Sequence, residues 1–391
     1  MRTVASQSKV ERTPGGPDHA RDKEDGMTSG STNGTAGLPP GPRREALRLE
    51  PGASVAALLS RMSRSAFQGR KLGEAFETWR WMIDGESLIC IGLAGSMASA
   101  GLWPLVTWLV ERGYVDLVVS TSANVTEDLL EQRGVPFYRL EPERADDERL
   151  WRDGYYRFYD HAVARDEYDR MEDFTSAFFD DLAGRWPEAS IPGVLFMREL
   201  GHWLERQGLG RSVAATCARH GVPLFVPAAP DGPLAEGYRA SARRGPVVDF
   251  FRDYELALRV MDRYMAPGCG TSAIFVGGGV PKDFIQITAT SVCAVRGGVE
   301  ASPHRAAIQL TTDNPVFGGL GGASVASEGI SWGKESPAGR NVMVFADFTI
   351  GLPLLCQGLL DHYGPGHVRS ARRHIAGSVA ALLDDPDPAG Q

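Results

Sequence analysis

From residue 87 onward, short and wholly apolar runs alternate with longer stretches whose apolar residues recur at helical spacing. The short runs, expected as strands, cover 87–92, 115–120, 222–227, 247–250, 273–276, 306–310 and 342–345. The longer ones, expected as helices, cover 97–111, 125–133, 194–206, 212–220, 234–243, 254–265, 284–295 and 352–363. A strand that is apolar on both sides needs cover on both faces, and strands separated by helices give a parallel sheet. The expected class is therefore α/β, a Rossmann-like parallel sheet with helices on both faces. Two helices should precede it, one burying Val55, Leu58, Leu59 and Met62, the next Leu72, Ala75, Phe76, Trp79 and Met82. No internal repeat is present.

Composition sets the limits of this domain. Residues 1–45 are Gly, Ser, Thr, Pro and charge, too poor in large apolar side chains to offset the entropy of ordering, so they are expected to be disordered. A domain over 46–377 and a frayed tail over 378–391, rich in Asp and Pro, complete the division. A net charge of −8 argues against a nucleic-acid partner, which needs a basic footprint. Residues 141–181 carry 14 acidic side chains against six arginines, a solvated face or a surface for a polycation. Cys90, Cys217, Cys269, Cys293 and Cys356 are odd in number, far apart and without a CxxC pair, so neither a metal site nor a disulfide framework is expected. That usage, the lack of a signal-peptide pattern and the lack of any apolar run near the ~20 residues that cross a bilayer lead to a cytoplasmic expectation without membrane partners.

Ligands of open α/β sheets bind beyond the carboxyl ends of the strands, where helix N-termini present free N–H groups. Three strand ends here carry small residues: Gly92-Leu93-Ala94-Gly95-Ser96, Ser120-Thr121-Ser122-Ala123-Asn124 and Gly277-Gly278-Gly279. None is a GxGxxG fingerprint, and each alone fits a plain tight turn; three together favour a dinucleotide. Asp231 and Asp347 also follow strands, where a carboxylate commonly holds ribose hydroxyls. Capping of a helix explains Asp231 equally well.

The stretch Ser327-Glu328-Gly329-Ile330-Ser331-Trp332-Gly333-Lys334 follows the glycine-rich run 318–322 and precedes a strand. Lys334 is either a solvated surface lysine or an amine that Trp332 desolvates, lowering its pKa and freeing it for imine chemistry.

With these pieces placed, the chain resembles the deoxyhypusine synthase family, which includes homospermidine synthases, from about Glu74 to Gly364. VDLVVSTSANVTEDLL (115–130), VPLFVPAAPDGPL (222–234), FVGGGVPKDFI (275–285), EGISWGK (328–334) and VFADFTIGLPLL (344–355) carry the resemblance through their order and spacing. It implies an NAD-binding fold assembled as a homotetramer, with active sites at a dimer interface. It also implies a reaction: hydride moves from spermidine to NAD, diaminopropane leaves, and the aminobutyl group passes through an imine on the active-site lysine to an acceptor amine before the hydride returns. Lys334 matches that lysine, and Trp332 would stack on the amine. Glu328 matches a substrate carboxylate, and Glu127 one shared between nicotinamide and substrate. Asp231 and Asp347 match cofactor contacts, while Ser96, Ser99, Thr121, Ser122, Ala123, Gly278 and Thr312 fall in the cofactor loops.

Three positions depart from the pattern. Asp283 stands where a histidine is usual, Glu236 where a tunnel aspartate is usual, and Leu320-Gly321 where the glycine-rich loop usually carries an acid. Positions of this kind grip the ends of the polyamine, so the donor and acceptor stay open, with a small amine placed ahead of a protein lysine. The competing readings are deoxyhypusine synthesis on a protein, a non-catalytic NAD-binding paralogue, and a simple amine or alcohol dehydrogenase.

Overall fold

The computed structural model describes residues 42–186, 190–243, 245–265, 270–295 and 303–384. Residues 44 onward form one compact unit. Its centre is a six-stranded sheet of β1 (Leu88–Leu93), β2 (Leu117–Ser120), β3 (Leu224–Phe225), β4 (Thr271–Val276), β5 (His304–Thr311) and β6 (Glu335–Phe345). All pairs are parallel and the order is β3-β2-β1-β4-β5-β6. β1 and β4 are buried along their whole length, as central strands covered on both faces must be. That strand order is the doubly wound one, which reverses direction between β1 and β4 and leaves a crevice at their carboxyl ends.

Helices pack on both faces. On one, Phe67–Asp84 lays Phe76, Trp79 and Met82 into a core shared with Ile89 and Ile91 of β1. On the other, Gly279–Val295 and Phe250–Tyr264 cover Leu88, Cys90 and Phe275. The Oδ1 of Asp249 caps the second of these helices by accepting from the N–H groups of Phe251 and Arg252.

Several elements differ from the sequence reading. The strand expected over 247–250 is not in the main sheet: Val247–Asp249 pairs with Ser190–Pro192 in a separate two-stranded ribbon. The helix expected from Met97 begins only at Trp103, after turns through Gly101, because Pro104 favours the first helical turn. The acidic stretch, read as a solvated face or a surface for a polycation, supplies His161–Ala164 and Tyr155–Phe158 to a small antiparallel sheet that Tyr138–Arg139, just before it, completes. It also supplies the helix Met171–Arg185, which buries Phe178 and Leu182.

The expected tail begins inside the helix Arg372–Asp384, with Val379 and Leu383 buried, so fraying from residue 378 is corrected as far as Asp384. Just before that helix the Arg369 guanidinium donates to Asp116 Oδ2 at 2.7 Å, both side chains sealed from water. Such a pair is costly to break, because either partner alone would be an uncompensated buried charge. Residues 1–41 and 385–391 lie outside the described residues.

Candidate functional site

The switch point is built from main chain that only small residues allow. The chain leaves β1 with Ala94 N–H donating to Val276 O, and leaves β4 with Gly277 N–H donating to Leu310 O. Gly277 has φ +77°, the left-handed region that favours glycine. Gly278 lies so close to the 318–323 loop that a Cβ there would fall 2.3 Å from the Gly321 Cα.

Most of the cofactor residues chosen from sequence line this edge. Ser96 and Ser99 follow β1, and Thr121, Ser122 and Ala123 follow β2. Gly278 follows β4, Thr312 follows β5 and Asp347 follows β6. Thr121 caps the helix Ser122–Gln132, its hydroxyl accepting from Asn124 N–H. The hydroxyls of Ser120 and Ser122 are buried without a partner. Asp347 caps the helix Phe348–Tyr363 through the Thr349 N–H at 2.7 Å. Asp231 is exposed and caps nothing, since the helix Pro233–Ala240 starts at Gly232 without a side-chain cap.

Lys334 immediately precedes β6, at the amino ends of the strands rather than the carboxyl ends, yet its side chain is only 15% exposed. Its Nζ reaches back to Asp283 Oδ1 at 3.4 Å, in the first turns of the helix Gly279–Val295. This cleft of about 250 Å³ is lined by Lys334, Lys282, Glu328, Trp332 and the loop residues Gly318 to Leu320. Glu328 accepts the Ser324 N–H at 2.8 Å. Trp332 does not act as the desolvating wall expected of it. The indole is 72% exposed in the single chain and faces Lys334 Nζ at 5.6 Å from the ring centroid, a cation–π contact at the cleft mouth. What covers Lys334 is the cleft itself.

Glu127 and Glu236 belong to a different part of the molecule. Glu127 is 4% exposed, accepts the Ser99 N–H, and has its Oε2 without a partner. Burial pushes its carboxyl up to about 7, against the lowering effect of that N–H. Beside it, burial and then the Glu127 charge push the Tyr168 phenol up to about 12. Tyr168, Asp169, Glu172 and Glu236 line a second cleft of about 1000 Å³. Glu236 is paired there with Arg239, whose guanidinium also reaches Glu172. The two clefts share no lining residue.

The sequence reading missed a buried polar layer beneath the first cleft. Lys282 is 1% exposed and donates to Gln309 Oε1 at 3.0 Å. Glu335 is fully buried and accepts from Gln286 Nε2 at 2.6 Å, while its Oε2, without a partner, lies where a Cβ on Gly329 would be. Burial pushes Glu335 up to about 7, opposed by the Gln286 hydrogen bond and by the Lys282 and Lys334 charges. The available signal was Lys282 and Gln286 at i, i+4 on one helix with Gln309 inside an apolar strand, where polar side chains need partners.

A family model described as deoxyhypusine synthase matches residues 57–359. "Probable deoxyhypusine synthase 2" of Archaeoglobus fulgidus is 36% identical over 300 residues, covering 76% of this chain and 96% of the relative. The protein of the same name from Methanosarcina mazei is 34% identical over 310 residues, covering 78% of this chain and 86% of that protein. A crystal structure from Entamoeba histolytica assigned as a deoxyhypusine synthase superposes with a TM-score of 0.55 at 16% identity, covering 82% of this chain and 96% of that one. At that identity the likeness is one of fold.

Proposed function

Since the chain belongs to the deoxyhypusine synthase family, we propose that it is an NAD-dependent transferase moving an aminobutyl group from spermidine or a related polyamine, through an imine on Lys334, to an amine acceptor. A small amine is the acceptor in this reading. The observation that carries it is the Lys334 side chain, only 15% exposed, paired with Asp283 Oδ1 at 3.4 Å and sharing a cleft with Glu328 rather than left in solvent. A polyamine needs such carboxylates, because each ammonium taken out of water needs a partner.

The residues at the switch point suit a dinucleotide. The buried hydroxyls of Ser120 and Ser122 have no partner in the protein, and the helix Ser122–Gln132 presents its N-terminus at the same strand end. Bound NAD would supply the hydride acceptor and donor. The chain's own groups do the rest. Glu127, Asp283 and Glu328 hold ammonium groups and fix the carbon to be oxidised. The Lys334 amine attacks that carbon once it is an imine, the C–N bond to the departing diaminopropane breaks, and the leaving nitrogen keeps the proton that Lys334 gave up. The acceptor amine then displaces Lys334 by the same exchange in reverse.

Glu127 and Lys334 act in one site under this reading although within one chain Glu127 is not among the residues that line the Lys334 cleft. A second copy in a homotetramer would bring them together. The apolar side chains exposed around the Lys334 cleft, Val316, Phe317, Trp332 and Ile287, suit such a cover.

Borohydride reduction of the protein with NAD and spermidine should add an aminobutyl mass to the Lys334 peptide, and Lys334→Ala should abolish both adduct and transfer. Full transfer by Lys334→Ala would remove the lysine from the reaction. Net NADH accumulation in step with substrate loss would instead mark a dehydrogenase.

A further inference from the structure

The first cleft contains two lysines, and only one of them is free to react. Lys282 sits in the first turn of the helix Gly279–Val295, where the helix dipole repels a cation. All three of its N–H donors are nevertheless committed: to Gln309 Oε1 at 3.0 Å, to the Leu320 carbonyl at 3.1 Å and to the Ala323 carbonyl. Gln309 completes the knot from the other side. Its amide donates to Gly277 O at 2.9 Å and to Gly321 O at 2.8 Å. The end of β4, the start of its helix, β5 and the loop 318–323 are thus tied by two buried side chains. The loop ends at Ser324, whose N–H holds Glu328 Oε2.

We propose that Lys282 is a positioning residue that acts through the Leu320 and Ala323 carbonyls to fix the 318–323 loop as one wall of the cleft, and through Ser324 to aim Glu328 at the substrate amine. A buried cation with three carbonyl-type acceptors is a strut that no neutral side chain of similar length replaces, because only an ammonium donates three times. Burial pulls this ammonium down to about 8, opposed by the Glu335, Glu328 and Asp283 charges and assisted by Lys334. That cost is tolerated in a first-turn position that an apolar residue could fill. The inference rests on the proposed reading of Glu328 as an amine carboxylate.

The tests separate positioning from chemistry and from fold. In native wild-type protein loaded with NAD, reductive methylation should modify Lys334 and leave Lys282 unmodified until the chain is unfolded. Labelling of Lys282 at the rate of exposed lysines would overturn the proposal whether or not the transferase reading holds. Lys282→Met should raise KM for the amine donor about tenfold and lower kcat less, while still forming the borohydride-trapped adduct at Lys334. Glu328→Gln should do the same, and the double variant should be no worse than Glu328→Gln alone, because both changes remove one device. Additive losses, or an adduct lost in a folded Lys282→Met protein, would overturn it. If Lys282→Met does not fold, Lys282→Arg keeps the charge and decides: a KM raised in step with faster amide exchange at 320–324 supports the strut, and an unchanged KM with that loop loosened overturns it.

Discussion

At the scale of single residues the site depends on carboxyls and lysines taken out of water. Glu127 is the clearest case, since burial with a single N–H partner leaves it titrating near 7. The sign follows directly. Burial favours the protonated carboxyl, so below pH 7 Glu127 is neutral and offers no charge to an ammonium, and above it the carboxylate is available. Affinity for the amine donor is expected to rise as pH increases through about 7, and Glu127→Gln should flatten that profile and weaken binding about tenfold at pH 8. Isothermal titration with spermidine across pH 6 to 8 measures it, and an unchanged profile in the variant would assign the transition to another group. Lys334 stands out from its own local stretch, whereas Glu328 and Glu127 take their roles only from the family resemblance of the segments that hold them. Glu335 gives no such signal and Lys282 only a weak one, its i, i+4 spacing to Gln286; what distinguishes both is burial, which depends on elements far away in the chain.

Among the elements, the 318–323 loop connects the cofactor edge to the lysine cleft. Gly278 beneath it and Gly321 within it approach so closely that Gly278 does not tolerate a Cβ: the added atom would lie 2.3 Å from the Gly321 Cα. Gly278→Ala should therefore force main chain apart, costing about 1–3 kcal/mol of stability and more in NAD affinity than in stability. Urea denaturation with and without NAD checks this; equal losses in both would make Gly278 a packing residue only. The triple glycine was visible in the sequence as a place for close approach. Its partner was not, because the contact joins positions more than forty residues apart. β6 shows the same limit. Only its apolar end, 342–345, read as a strand, while its first half carries Ser336, Pro337 and Gly339 and is held by pairing with β5 across an irregular register.

For the whole molecule the question is how Glu127 and Lys334 come to act together. In one chain Lys334 lines the first cleft and Glu127 is buried away from it, beside Tyr168 of the second, and the proposed homotetramer makes each active site from two copies. With donor well below KM, Lys334→Ala homo-oligomers should be inactive and Glu127→Gln ones about tenfold impaired, yet mixing them under subunit exchange should raise activity to about a quarter of wild type, since some sites then receive both intact residues. No recovery, with exchange verified by mass, would place the whole site in one chain. The sequence by itself determined the α/β class, the strand ends that suit a nucleotide and the lysine stretch, because apolar period, glycine placement and local spacing are properties of neighbouring residues. Only the tertiary structure decided that Val247–Asp249 stands outside the main sheet, that the acidic stretch folds into its own small sheet, that Trp332 lies at the cleft mouth, and that Lys282 and Glu335 are sealed beneath it. The physical reason is the same each time: pairing and burial are set by what the rest of the chain brings alongside, and a linear pattern holds no record of that.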